Sequence, residues 1–187
     1  MKQFQLIAGD PMILTRDRIL AAVQTGEIKI APFDEAALDA ASYDMTLYHQ
    51  IRVFIEGLNE IDLNDMAHDA HAVLNITRII NIPSESYYLL KPGELVLGMT
   101  VEKLTLAPNI AGTLEGRSRF ARMGLMVHIT ASFLQPGIKN TRQVFEIFNA
   151  SRNAIKLRSG VRIAQVVFER CEGSAVYSGV FANQRKL

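Results

Sequence analysis

A mainly β fold, built of short strands as in a sandwich or barrel, is what this sequence predicts, and three observations predict it. Short runs rich in β-branched and aromatic residues recur from Ser42 onward. Turn signals separate them: Lys91-Pro92-Gly93, Ala107-Pro108-Asn109, Gln135-Pro136-Gly137 and Arg158-Ser159-Gly160. The one clear helical pattern is short and lies near the N-terminus.

In chain order, Thr15 caps a helix over residues 16–24, with Ile19, Leu20 and Val23 on one face and Gly26 ending it. A weaker helix covers 34–38. Strands are expected at 43–47, 51–55, 86–90, 94–101, 110–115, 125–130, 143–149, 154–157 and 162–169. The stretch 59–72 is acidic, carries His68 and His71, and reads as an excursion from the sheet. The tail, 176–187, has neither period and few core-forming residues; it is disordered or folds over something. No internal repeat divides the chain, so 1–187 is expected to be a single domain.

Composition bounds the function. Twenty basic residues against nineteen acidic ones leave a net charge of +1. A general nucleic-acid binder concentrates many more cations, so neither DNA nor RNA is an expected partner; one nucleotide needs only a local cluster. Cys171 is the single cysteine, which excludes an internal disulfide and points to a reducing compartment. Met1-Lys2-Gln3-Phe4 has no signal-peptide character, and no apolar stretch approaches the roughly 20 residues of a membrane helix. A cytoplasmic protein without a membrane partner is expected.

The densest polar cluster is Gly116-Arg117-Ser118-Arg119-Phe120-Ala121-Arg122, just after a strand. Guanidinium forks match phosphate oxygens, and glycine lets backbone approach them closely. Taken alone, the segment reads rather as a basic surface turn. Glu146 stands in Val144-Phe145-Glu146-Ile147-Phe148, sharing its strand face with Val144 and Phe148. Apolar surroundings would raise its pKa toward the range of a general base; an edge-strand glutamate reaching solvent is the other reading. His128 reads as a satisfied structural residue beside the site. His68 and His71, with Asp65, match no metal signature and read as solvated.

Absences also decide. Zinc deaminases hold their metal with His-x-Glu and Pro-Cys-x-x-Cys, which a chain with one cysteine cannot supply. Neither a phosphate-binding Gly-x-x-x-x-Gly-Lys-Ser/Thr loop nor a nucleophile elbow is found. A deaminase made from this sequence has no zinc and activates water with a carboxylate.

Taken together, the segments resemble the dCTP deaminase family, which belongs with the trimeric dUTPases. Ala41-Ser42-Tyr43-Asp44 resembles the superfamily's first shared motif. Gly116-Arg117-Ser118 with Ala121-Arg122, then residues 124–131, is similar to the nucleotide-binding turn and following strand. Pro136-Gly137 leading to Phe145-Glu146-Ile147 resembles the segment of the catalytic glutamate, and 160–165 a late barrel motif. The resemblance runs from Met12 to Gln184, leaving 1–11 as an extension. It implies a dUTPase-like distorted β-barrel of jelly-roll type, a homotrimer with sites between subunits, and a C-terminal lid at 176–187. It implies deamination of dCTP to dUTP and ammonia, with Glu146 as general base. Ser118, Arg122 and the carbonyl of Ala131 would hold the water or cytosine. Nucleotide contacts would come from Arg117, Ser118, Arg119, Arg122, Gln135, Val144, Phe145, Tyr177 and Gln184, with Mg²⁺ bound through the triphosphate.

Departures from the family pattern are specific. Arg119 replaces a second serine, Gln135 an aspartate near the sugar, and Val180-Phe181 a Lys-Tyr pair in the tail; the loop 138–142 is one residue longer. Losing the aspartate argues against dUTPase chemistry, which uses it to activate water. A dUTPase or a bifunctional enzyme giving dUMP and pyrophosphate is the alternative within the fold. A non-catalytic nucleotide-binding regulator is the alternative outside enzymes.

Overall fold

The computed structural model describes residues 12–57, 60–64 and 72–179. Twelve strands are present among them: β1 (Met12–Ile13), β2 (Ile28–Ala31), β3 (Tyr43–Phe54), β4 (Thr77–Asn81), β5 (Tyr88–Leu90), β6 (Leu95–Leu106), β7 (Ile110–Gly116), β8 (Leu125–Met126), β9 (Phe133–Leu134), β10 (Thr141–Asn149), β11 (Ile155–Leu157) and β12 (Arg162–Arg170). Helices α1 (Arg16–Thr25), α2 (Val73–Ile76) and α3 (Ser118–Ala121) accompany them. A 3-10 turn, Glu35–Ala37, is capped by the Asp34 carboxylate, which accepts from the N–H of Ala36.

Ten strands form one antiparallel sheet whose spine runs β8-β10-β6-β3-β12-β7-β9, while β5 and β11 pair separately. The long strand β3 joins the two halves. Tyr43–Thr46 lie along β12, and Leu47–Val53 along β6. Between the halves, Tyr43, Met45, Leu47, Ile51, Phe145, Ile147, Val166 and Phe168 are all buried. At Gly98 a Cβ would lie 2.8 Å from Ile147 Cδ1, so glycine lets β6 pack closely there.

The two ends of the spine, β8 and β9, are adjacent in sequence. Residues 127–132 join them, and that link cannot exceed about 25 Å even fully extended. The sheet therefore curls until its ends nearly meet. The seam between those ends is where Glu146 anchors the linking segment.

Several expectations are corrected. The pieces 43–47 and 51–55 are one strand, because the polar His49-Gln50 stretch continues the ladder: Gln50 pairs with Asn81 and donates to its Oδ1 at 3.1 Å. The expected strand 125–130 ends at Met126, since the N–H groups of Ile129 and Thr130 turn to the Glu146 carboxylate instead of a neighbouring strand. Thr15 starts α1 without a side-chain cap; its hydroxyl donates to Asp17. Gly26 ends α1 with φ of 79°. Strands β1, β2, β4 and β9 were not expected.

Candidate active site

Glu146 lies mid-strand in β10 with Phe145 and Ile147 turned into the core. Alternation puts its carboxylate on the other face, beside the 127–132 link. Its Oε2 accepts from the N–H of Ile129 at 2.6 Å and of Thr130 at 2.9 Å. Burial pushes the carboxyl up, but the backbone N–H groups of Thr130, Ile129 and Ala131, with His128 nearby, hold it below its ordinary value. That reverses the direction expected from Val144 and Phe148. Three N–H donors outweigh the apolar neighbours. A carboxylate offers about four lone-pair directions, so capacity remains for a water proton.

A cavity of about 400 Å³ opens beside it. Of the residues expected at the site, Glu146, Ala131, Gln135, Val144 and Tyr177 line this cavity together. Phe145, expected there too, is fully buried and does not line it. Tyr177 arrives by a tail pinned to two turns: Ala175 N–H donates to Pro108 O at 2.8 Å and Tyr177 N–H to Pro136 O at 3.0 Å. Gly137 permits this, at φ of 75° and with its missing Cβ 2.8 Å from Val176 Cα.

Sequence reasoning missed Arg142 and Gln143, which also line the cavity. Where β10 shifts register against β6, Arg142 donates to the carbonyls of Thr100 and Val101 and lies 4.3 Å over the Tyr48 ring. Gln143 N–H bonds Thr100 Oγ1 at 3.0 Å. A bulge has no local sequence signal, so nothing marked these two.

The basic turn stands elsewhere. Arg117 pairs with Asp44 at 3.0 Å and donates to the carbonyl of Arg162 at 3.1 Å. Burial pushes Asp44 up, and Arg117 opposes that. Ser42 donates to Gln165 Oε1, and Gln165 reaches the carbonyl of Gly116. Three separated motifs thus meet to fix the start of α3. Ser118 and Arg119 on it, and Arg122 just after it, are exposed, and Arg122 lines a second cavity rather than the one holding Glu146. His128 is not the satisfied residue expected: its Nδ1 is buried without a hydrogen-bond partner among the described residues. Gln184, Val180, Phe181, Asp65, His68 and His71 lie outside the described residues. No described helix is long and apolar enough to cross a membrane.

A curled β-sheet with a carboxylate at its seam and a basic turn after β7 defines the class, and comparison with known proteins places the chain within it. A family profile described as dCTP deaminase-like matches residues 13–171. A protein of Salinispora tropica named dCTP deaminase, dUMP-forming, is 35% identical over 182 residues, 92% of this chain and 91% of its own. One from Shewanella oneidensis named dCTP deaminase is 38% identical over 166 residues, covering 87% and 86%. The crystal structure of 2'-deoxycytidine 5'-triphosphate deaminase from Agrobacterium tumefaciens superposes with a TM-score of 0.63 at 19% identity. That match takes in 86% of this chain but only 48% of the other. The chain belongs to the dCTP deaminase-like family.

Proposed function

We propose that this chain deaminates dCTP without zinc, giving dUTP and ammonia. The observation that carries the reading is Glu146, an ionised carboxylate on a rigid strand at the mouth of the cavity that Ala131, Gln135, Val144 and Tyr177 also line. In this mechanism Glu146 takes a proton from water and the hydroxide oxygen bonds to C4 of cytosine. The C4=N3 π pair shifts onto N3, which takes that proton from Glu146; Glu146 then relays the new hydroxyl's proton to the amino nitrogen, the bond from C4 to that nitrogen breaks as C4=O forms, and ammonia leaves. The carbonyl of Ala131 orients the water. Val144 bounds the base, Gln135 the sugar, and Tyr177 and Gln184 belong to the tail that closes as a lid. Mg²⁺ enters with the substrate, held by its phosphate oxygens.

Ser118, Arg119 and Arg122 complete the site from a second subunit. Arg122 and Glu146 line different cavities of one chain, so a homotrimer that brings one chain's turn to another's seam supplies both. Arg117, engaged with Asp44, holds that turn in place for the nucleotide.

A second reading, release of dUMP and pyrophosphate, is favoured by the Salinispora relative, named as dUMP-forming. Gln135 opposes it, because an amide cannot activate water as an aspartate does. Incubation with dCTP, dUTP or dCMP plus Mg²⁺, followed by product separation, tests both. dCTP is expected to give dUTP and ammonia, and Glu146→Gln to lose about 10²- to 10⁴-fold in rate. dUMP with pyrophosphate establishes the second reading. Unchanged dCTP removes both.

A further inference from the structure

Strand β10, which carries Glu146, does not lie evenly along β6. Arg142 pairs with Lys103 and Val144 with Met99, so the single residue Gln143 stands opposite three residues of β6, Thr100, Val101 and Glu102. From Val144 onward the pairing is offset by two residues, which puts Glu146 opposite Leu97. Alternation does not select this offset, because a slip of two residues returns every side chain to its own face. Gly98, opposite Phe145, favours it, since a Cβ there would lie 2.8 Å from Ile147 Cδ1. The remaining specification is polar.

Thr100 is fully buried and its hydroxyl is used twice. Oγ1 accepts from the Gln143 N–H at 3.0 Å and donates to the Glu102 carbonyl at 2.6 Å. Arg142 closes over the same stretch, its Nη1 donating to the Thr100 carbonyl at 2.6 Å and to the Val101 carbonyl. Its guanidinium carbon lies 4.3 Å from the centroid of the Tyr48 ring. Tyr48 belongs to β3, where Tyr48, His49 and Gln50 stand opposite Met99 alone. The buried Glu102 carboxylate accepts the N–H of Thr46 at 2.9 Å, tying the excess residues of β6 to β3 as well. One side chain of β10 thus touches both irregular stretches of its neighbours.

We propose that Thr100 and Arg142 are positioning residues for the deamination: they clamp the irregular stretch of β6 and so fix where Val144 and Glu146 stand along the seam. Their role in catalysis rests on the deaminase reading; the clamp itself does not. Val144 bounds the base and Glu146 activates the water, and both lie within four residues of Arg142 on one strand. Reacting atoms must come within about 3–3.5 Å in line, and a displacement near 1 Å costs on the order of 10²-fold in rate. A loosened clamp therefore lowers kcat, while KM changes little because the basic turn still holds the phosphates.

Three variants test it. T100V removes the hydroxyl at nearly constant volume, T100S keeps it, and R142M keeps an unbranched stem without donors or charge. Well below the melting temperature, T100V and R142M are expected to lose at least about tenfold in kcat for dCTP with KM within about threefold, and T100S to stay near wild type. Amide hydrogen exchange supplies a readout without turnover. The N–H groups of Ile129 and Thr130 rest on the Glu146 carboxylate and report where it stands. In T100V and R142M they are expected to exchange at least about tenfold faster, while the N–H groups pairing β12 with β7 exchange as in wild type. Undiminished kcat, wild-type exchange at Ile129 and Thr130, or equal acceleration in every strand overturns the proposal. If T100V does not fold, R142M decides. Failure of the deaminase reading is separately visible as dCTP left unchanged by wild type while exchange at Ile129 and Thr130 still responds to the substitutions.

Discussion

A carboxylate that accepts three backbone N–H groups is ionised throughout the neutral range, and Glu146 is such a carboxylate. Its pKa is depressed, so its contribution to stability is present above the ordinary value, about 4.3, and is lost as pH falls through the folded value. The base should stay competent over the same span. The acid limb of a kcat/KM–pH profile is expected below that ordinary value; a Glu146-dependent midpoint above about 5.5 would contradict the geometry. The identity of this residue was legible in the sequence as a lone carboxylate in an apolar strand. The sign of its shift was not, because the deciding donors come from residues 129–131, 15 to 17 positions away. Arg117 teaches the same lesson. Its residue type suggested phosphate, whereas Asp44, distant in sequence, holds it. Arg117→Ala strands a mostly buried carboxylate and should destabilise the fold by about 2–3 kcal/mol. Adding Asp44→Asn should recover most of that stability but not dCTP affinity, since the turn remains loose. Thermal melts and calorimetry check the pair; full recovery of affinity would make Arg117 dispensable to the site.

At the scale of elements, patterns of alternation located most of the sheet, and turn residues located most of its ends. Long-range pairing determined the rest. Strand β2 is four residues between Gly26 and Pro32, too short to show a period on its own, and it exists by lying along β6. Strand β4 likewise depends on β3. The turn Pro136-Gly137 was legible, but its second role was not: it carries the tail that brings Tyr177 to the cavity. Gly137→Ala should therefore act twice. The positive φ costs about 1–2 kcal/mol for a residue with a Cβ, and that Cβ collides with Val176 backbone. A lower melting temperature and faster proteolysis near 175–177 are expected. A variant that melts and cleaves like wild type would show that the tail does not depend on this turn.

For the whole molecule, the curl of the sheet brings β8 and β9 together and places the Glu146 seam at one cavity, with the basic turn at another. The order of the motifs in the sequence announced both parts; only their placement in space shows that one chain keeps them apart. The proposed homotrimer should have a mass about three times the 20.8 kDa chain by light scattering. Its central claim is that a working site takes Glu146 from one subunit and Arg122 from its neighbour. Glu146→Gln and Arg122→Ala chains, each inactive alone, can be unfolded together at equal amounts and refolded into mixed trimers. Random assortment gives each site a half chance of an intact Glu146 and a half chance of an intact neighbouring Arg122. About one quarter of wild-type dCTP turnover should then return. If the mixed trimers form and turnover stays at the level of the two separate variants, Glu146 and Arg122 do not meet across subunits, and the account of the site is wrong.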